Sequence, residues 1–204
     1  SKQSRGLGDV YKRQGHKLKI LVVGGAGYIG SHFVLEASKR GNEITVFDDL
    51  SSGFKSNLND NISFYKGSTL SKKELDLVML SDNFDVVVHL AAFKAAGESM
   101  LNPGRYATNN IIGGLNLIES CVKNNIRNVI FSSSAAVYGT PQYTPIDETH
   151  PLLPINYYGY SKLIIEQNLK WYSKLKGIRY ASLRYFNAAG SVSYTHLTLP
   201  TTGI

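Results

Sequence analysis

The stretch that decides the fold is residues 17–49, KLKILVVGGAGYIGSHFVLEASKRGNEITVFDD. Its apolar run at 18–23 has the length and β-branched content of a buried strand. A helical pattern follows over 27–39, then a second short apolar run at 44–47. Strand, helix, strand within so few residues is the unit of a parallel sheet, because parallel neighbours need a crossover and a helix supplies it. Gly24, Gly27 and Gly30 lie between the first strand and its helix. Their missing Cβ atoms permit a tight turn and a close approach to a pyrophosphate, which then faces the unpaired N–H groups of the helix start. Glycine turns are common, so the context gives this one its weight: a strand before, a helix after, and Asp48 closing the second strand. A carboxylate there accepts hydrogen bonds from an adenosine ribose and repels a 2′-phosphate, and Asp49 adds the same sign. The expected cofactor is therefore NAD rather than NADP.

Outward from this unit the rhythm continues. Short strands are expected at 62–65, 86–90, 129–132 and 180–184, separated by helices near 72–80, 105–123 and 157–174. The fold class is α/β, a doubly wound parallel sheet of Rossmann type with helices on both faces. Residues 139–156 hold four of the six prolines and read as a loop crossing the ligand side. No internal repeat or low-complexity tract interrupts the pattern.

Composition excludes more than it identifies. The formal charge of +7 would suggest nucleic acid if it were clustered, but Lys2, Arg5, Lys12 and Arg13 lie in the first fourteen residues against a single Asp9. The remaining charges are scattered, with Lys72 and Lys73 reading as a solvated helix face, so no nucleic-acid partner is expected. No apolar run reaches the roughly 18 residues a membrane span needs, and the N-terminus lacks a secretion signal, so a cytoplasmic location is expected. The single cysteine, Cys121, has neither a disulfide partner nor a surrounding ligand set; it reads as a core residue on a helix, and no metal is expected.

The two ends read differently from the rest. The last six residues of SRGLGDVYKRQ, at 4–14, can be encoded by gat gtg tat aag aga cag, which resembles the transposase-end adaptor of sequencing libraries. The reverse complement of that DNA encodes Val192, Ser193, Tyr194, Thr195 and His196 and begins a leucine codon, and Leu197 follows. Opposite strands of one short DNA thus account for both tails. Residues 1–14 and 191–204 are expected to be adaptor-derived and are set aside from fold reasoning, leaving 15–190 as one domain, with Ser191 ambiguous.

Tyr158 and Lys162 are spaced i, i+4 and share a helix face. Tyrosine normally titrates near 10, and an ammonium beside it, with a nicotinamide cation, favours the phenolate and makes it a useful general base. Tyr157 and Tyr160 lack that spacing to Lys162. Ser132, Ser133 and Ser134 close the fifth strand at the carboxyl edge, where ligands of such sheets bind. One of these hydroxyls could complete a Ser, Tyr, Lys set; alternatively all three merely cap the strand end.

Taken together, the glycine turn, SSSAAVYG at 132–139, the Tyr158/Lys162 pair and LRYFNAAG at 183–190 resemble the extended short-chain dehydrogenase family. HLAAFKAAGES at 89–99 is most similar to its UDP-glucose 4-epimerase branch, and the similarity covers essentially all of 18–190. The resemblance implies that Tyr28 and Ile29 touch the pyrophosphate and that Asp48, Asp49, Leu50, Ser51, Ser52 and Gly53 line the adenosine. Ser68 and Thr69 would lie near the adenine, although the family usually has Asp and an aliphatic residue there; Val23 likewise replaces a usual Thr. Leu90, Ala91, Ala92, Phe93, Lys94 and Asn109 would hold the cofactor, with Phe186 near the nicotinamide. Ser134, Tyr158 and Lys162 would be the catalytic set, and Lys94, Ser134, Tyr158 and Asn187 would meet the UDP-sugar. The implied reaction is 4-epimerisation of a UDP-hexose: Tyr158 removes the 4-hydroxyl proton, hydride passes to NAD, and the 4-keto sugar turns over before hydride returns to its other face. A 4,6-dehydratase shares the fold but needs an Asp-Glu pair where Ala135 and Ala136 stand. A non-catalytic NAD-sensing module would keep the glycines without requiring Tyr158 and Lys162. The family's C-terminal substrate domain is expected to be missing from the chain, which is therefore not expected to epimerise alone, and pairing as a homodimer through the helices near 105–123 and 157–174 is expected of the parent.

Overall fold

A computed structural model describes residues 17–188 of the chain; the expected tails at 1–14 and 191–204 lie outside the described residues. Six strands, β1 (Lys19–Val23), β2 (Glu43–Asp48), β3 (Ser63–Lys66), β4 (Val86–His89), β5 (Asn128–Ser134) and β6 (Arg179–Tyr185), form one sheet in the order β3-β2-β1-β4-β5-β6. Every pairing is parallel, with Val23 opposite both Phe47 and His89. The helices are α1 (Tyr28–Lys39), α2 (Lys72–Leu80), α3 (Ala96–Leu101), α4 (Pro103–Tyr106), α5 (Gly113–Lys123) and α6 (Tyr157–Lys176).

Side chains alternate across each strand, and the two faces bury separate cores. Leu21, Val23, Val87 and Phe131 pack with Leu75 of α2, Leu117 of α5 and Leu169 of α6. Ile20, Val22, Val46 and Val88 pack with Val34 and Ala37 of α1. The expected doubly wound sheet is thus the observed one. Cys121 is fully buried on α5, and burial pushes its thiol up to about 12, as suits an inert core residue. Lys72 and Lys73 are exposed on α2, with Lys72 paired to Glu119. Among the described residues no helix is long and apolar enough to cross a membrane.

Local signals explain the helix ends nearest the site. The Asn156 side chain accepts from the Gly159 N–H at 2.8 Å to start α6, and Gly177 ends it at φ 71°. By contrast, among the described residues α1 starts at Gly27 with no side-chain cap and no acidic residue in its first turn, an arrangement that suits an anion.

Two elements differ from expectation. The single helix expected over 105–123 is three pieces, α4, a π-helical turn at Ala107–Ile112, and α5. α3 was not expected at all: its six residues, AGESML, are too few to show a helical period and end just before Pro103.

Candidate active site

The carboxyl ends of β1, β2 and β4 converge on the glycine turn. The Gly24 N–H donates to the Phe47 carbonyl at 2.9 Å, and the Val23 carbonyl accepts from both Leu90 and Ala91, at 2.8 and 3.0 Å. Gly24 has φ 84°, and a Cβ on it would lie 2.4 Å from the Ala91 nitrogen; one on Gly30 would lie 2.1 Å from the Gly24 carbonyl oxygen. Packing alone therefore requires glycine at those two positions. Gly27 differs: its nearest neighbour to a Cβ would be 3.5 Å away, an ordinary contact. Among the described residues only the Gly24 carbonyl oxygen would lie within 4 Å of a Cβ on Gly27, at the start of α1. This is where the residues fit a pyrophosphate.

Asp48 ties this turn to β2. Its Oδ2 accepts from the Ala26 N–H at 2.9 Å and its Oδ1 from Leu50 at 2.8 Å, with Leu50 held at φ 61°. The carboxylate is buried, and each oxygen retains a lone pair for a ribose hydroxyl. Asp49, Ser51 and Ser52 are exposed beside it, whereas Gly53 is buried against Ala26. Phe54 and the Asn57 side chain both donate to the Ala26 carbonyl, seating this segment on the turn.

An open groove of about 470 Å³ runs along this edge, lined by Asp49, Ser68, Phe93 and Asn109 among others. Four residues expected to touch cofactor are thus brought together. Thr69 is buried, and its carbonyl accepts from Asn116 of α5. The backbone of Phe93 is clamped by Asn110, which accepts from its N–H at 2.9 Å and donates to its carbonyl at 3.0 Å. Asn110 also donates to the Ser161 hydroxyl, which donates to the Tyr158 carbonyl; the Ser99 hydroxyl accepts from the Tyr158 N–H. The π-helical turn carries Asn109 into the groove and Asn110 into this clamp. Lys94 is exposed just before α3.

At the other end of the edge, α6 lies close against the residues after β5. A Cβ on Gly159 would be 2.4 Å from the Ala136 carbonyl, so glycine is what lets Tyr158 reach β5. Burial raises the Tyr158 phenol above its ordinary value, and the Ser134 hydroxyl beside it pulls the other way. Ser134 also caps the short turn that follows, accepting from Ala136. Lys162 is only 3% exposed; its Nζ donates to the Ser132 carbonyl at 2.8 Å and lies 5.0 Å from the Phe131 ring centroid and 5.9 Å from that of Tyr158. Burial brings Lys162 down to about 7. The amine was expected to lower the phenol, but in this structure the lowering influence on Tyr158 is Ser134. The three serines are separated by the structure: Ser134 faces the phenol, Ser132 offers its carbonyl to Lys162, and the Ser133 hydroxyl turns inward to Glu166.

Phe186 and Asn187 are exposed beyond β6, with the Phe186 ring 6.4 Å from that of Tyr138. Sequence reasoning missed Ser99, Asn110, Glu166 and Arg184. Only Glu166 carried a usable signal, since it extends the Tyr158 and Lys162 spacing by one more turn. His89 was also missed: it is 4% exposed, burial and the Lys162 charge bring it down to about 3, and among the described residues its Nδ1 has no hydrogen-bond partner.

A doubly wound sheet whose glycine turn, buried amine and phenol share one carboxyl edge defines a dinucleotide-binding fold of Rossmann type. Residues 20–200 match the NAD dependent epimerase/dehydratase family, and the chain belongs to that family. It is 41% identical over 176 residues to the UDP-glucose 4-epimerase of Lactobacillus helveticus, an alignment covering 86% of this chain and 53% of that protein. Among solved structures it resembles the UDP-glucose 4-epimerase of Brucella ovis in complex with NAD (TM-score 0.84, 41% identity, 86% of this chain and 54% of that one). It also resembles the UDP-Glc/GlcNAc 4-epimerase of Campylobacter jejuni (TM-score 0.82, 40% identity, 87% and 56%). The chain spans about half the length of the relatives it matches.

Proposed function

We propose that this chain carries the NAD-binding and acid/base half of a UDP-hexose 4-epimerase that interconverts UDP-glucose and UDP-galactose through a 4-keto sugar. The observation that carries the reading is the meeting of β5 and α6, where Ser134, Tyr158 and Lys162 gather at the same sheet edge as the glycine turn at Gly24 and Gly27. Identity of 41% to a UDP-glucose 4-epimerase supports the choice of reaction.

NAD, when bound, would supply the reversible hydride acceptor for C4. The remaining chemistry falls to this chain's side chains. Gly27 and the bare first turn of α1 hold the pyrophosphate, Asp48 and Asp49 the adenosine ribose, and Asn109 and the Phe93 loop the middle of the cofactor. Tyr158 takes the proton of the 4-hydroxyl and gives it back, while Ser134 donates to the reacting oxygen. Buried near neutrality, Lys162 can hold or release a proton next to the phenol and binds the nicotinamide ribose. Phe186 and Asn187, still exposed, face the nicotinamide and the sugar nucleotide in this reading. The partner is a UDP-sugar, with neither nucleic acid nor membrane involved. Exposed Ile112, Tyr160 and Trp171 on the two long helical segments support a homodimer of the parent.

The test has two arms. The 204-residue chain is expected to bind NAD but not to turn over UDP-glucose, because it spans half of its relatives' length. The full-length gene is expected to interconvert UDP-glucose and UDP-galactose and to lose that activity in Tyr158→Phe. Unchanged turnover in that variant would overturn the assignment, and turnover by the 204-residue chain would overturn the need for more.

A further inference from the structure

The face of α6 that holds Tyr158 and Lys162 carries a third polar residue, Glu166, four positions after the lysine and eight after the tyrosine. The three recur about once per turn on one side of the helix. Each meets one of the consecutive serines that end β5. The Tyr158 phenol faces the Ser134 hydroxyl, Lys162 Nζ donates to the Ser132 carbonyl, and Glu166 Oε1 accepts the Ser133 hydroxyl. Ser133 is 2% exposed, so its hydroxyl serves the interior and not the ligand edge.

The Glu166 carboxylate is gripped from a second strand as well. Arg184 Nε donates to Oε1 at 3.0 Å and Nη2 to Oε2 at 2.7 Å, a two-bond fork, while Nη1 donates to the Tyr138 hydroxyl at 3.0 Å. Arg184 lies on β6 in register with Ser133, and Tyr138 leads into the 139–156 loop. One carboxylate therefore joins β5, β6 and α6, and its Arg184 partner reaches on to the start of that loop. The pair is largely out of water, and Glu166 holds the guanidinium pKa above its ordinary value.

Burying such a pair gains little stability over apolar residues of the same volume. What it adds is geometry. Apolar packing between a helix and a sheet tolerates small slides, whereas a fork with a hydroxyl on one of its oxygens fixes both distance and direction. A slide of α6 along β5 would take Lys162 off the Ser132 carbonyl and the phenol off Ser134 together. We infer that Glu166, held by Arg184 and Ser133, is a positioning residue that sets the depth of α6 against β5 and keeps Tyr158 and Lys162 in register with Ser134 and Ser132. The role rests on the reading of Ser134, Tyr158 and Lys162 as the acid/base set.

The test follows Lys162 by NMR of the chain labelled at lysine Cε, alongside NAD affinity by calorimetry. The parent chain is expected to show one lysine titrating near 7, assigned to Lys162 by its loss in Lys162→Met. Glu166→Gln keeps volume but presents a donor to Arg184. It is expected to raise the Lys162 midpoint by about one unit and to weaken NAD about tenfold. Met79→Ala, a core truncation on the buried face of α2, is expected to lower the melting temperature and move neither quantity. A Glu166→Gln protein that melts lower yet keeps the parental Lys162 midpoint and NAD affinity would overturn the role. If Glu166→Gln does not fold, Ser133→Ala decides in its place: a raised midpoint supports the role and an unmoved one overturns it. A parent chain that binds no NAD would instead sink the proposed function, and the Lys162 comparison would still decide the positioning role.

Discussion

The two ends of the ligand edge are built by opposite means. At β1, β2 and α1 the site is shaped by close backbone: Gly24 and Gly30 let neighbouring main chain approach where a Cβ could not fit, and among the described residues no side chain caps α1 at Gly27. At β5 and α6 it is shaped by polar side chains driven into the interior, Lys162, Ser133 and Glu166, each held by a specific partner. The first end suits a ligand recognised by charge and shape. The second suits proton chemistry, which needs a group such as Lys162 held away from water, where burial brings it down to about 7. The difference also separates how the ends should fail, since steric contacts break abruptly and buried polar groups respond to pH.

The sharpest break is expected at Gly30. Its Cβ in Gly30→Ala would collide with backbone that cannot move aside, so a loss of about 3 kcal/mol or more is expected in urea unfolding. Next comes Lys162→Met, where the sign is set by burial. Because the folded amine titrates near 7 and the unfolded one near its ordinary value, the unfolded state binds more protons between those limits and parental stability rises with pH across that window. The variant is expected to exceed the parent by on the order of 2 kcal/mol below pH 7, with the advantage shrinking toward pH 10, as thermal melts at a series of pH values would show. Ser134→Ala is expected to cost about 1 kcal/mol through the lost cap on Ala136 and to raise the Tyr158 midpoint, read by ring-labelled tyrosine NMR, because the one group pulling it down is gone. Gly27→Ala should change stability least, by about 0.5 kcal/mol or less, since its Cβ meets nothing closer than 3.5 Å.

These two ends were unequally legible in the sequence. Local pattern carries the glycine end: apolar runs, a turn and an acid at the next strand's close are all neighbours in the chain, and β1, α1 and β2 lie within a residue or so of their expected bounds. α2 was bounded as expected because Ser71 caps it, its hydroxyl accepting from Glu74, and its period is regular. At the other end Tyr158 and Lys162 could be found by spacing, but their supports could not. Arg184 reaches Glu166 only through the parallel register of β5 and β6, and Asn110 reaches Phe93 only because the backbone widens to a π turn that side-chain periodicity does not record. The choice among three consecutive serines likewise required the depth of α6 against the sheet, which Gly159 sets by close approach to Ala136.

Calorimetric titration of NAD into the chain and into Gly27→Ala tests the central claim most directly. A single site on the parent chain is predicted, with NADP bound more weakly and NAD affinity reduced about tenfold or more in Gly27→Ala at unchanged melting temperature. A parent chain that binds no NAD, or a Gly27→Ala chain that binds it as tightly as the parent, would contradict the account.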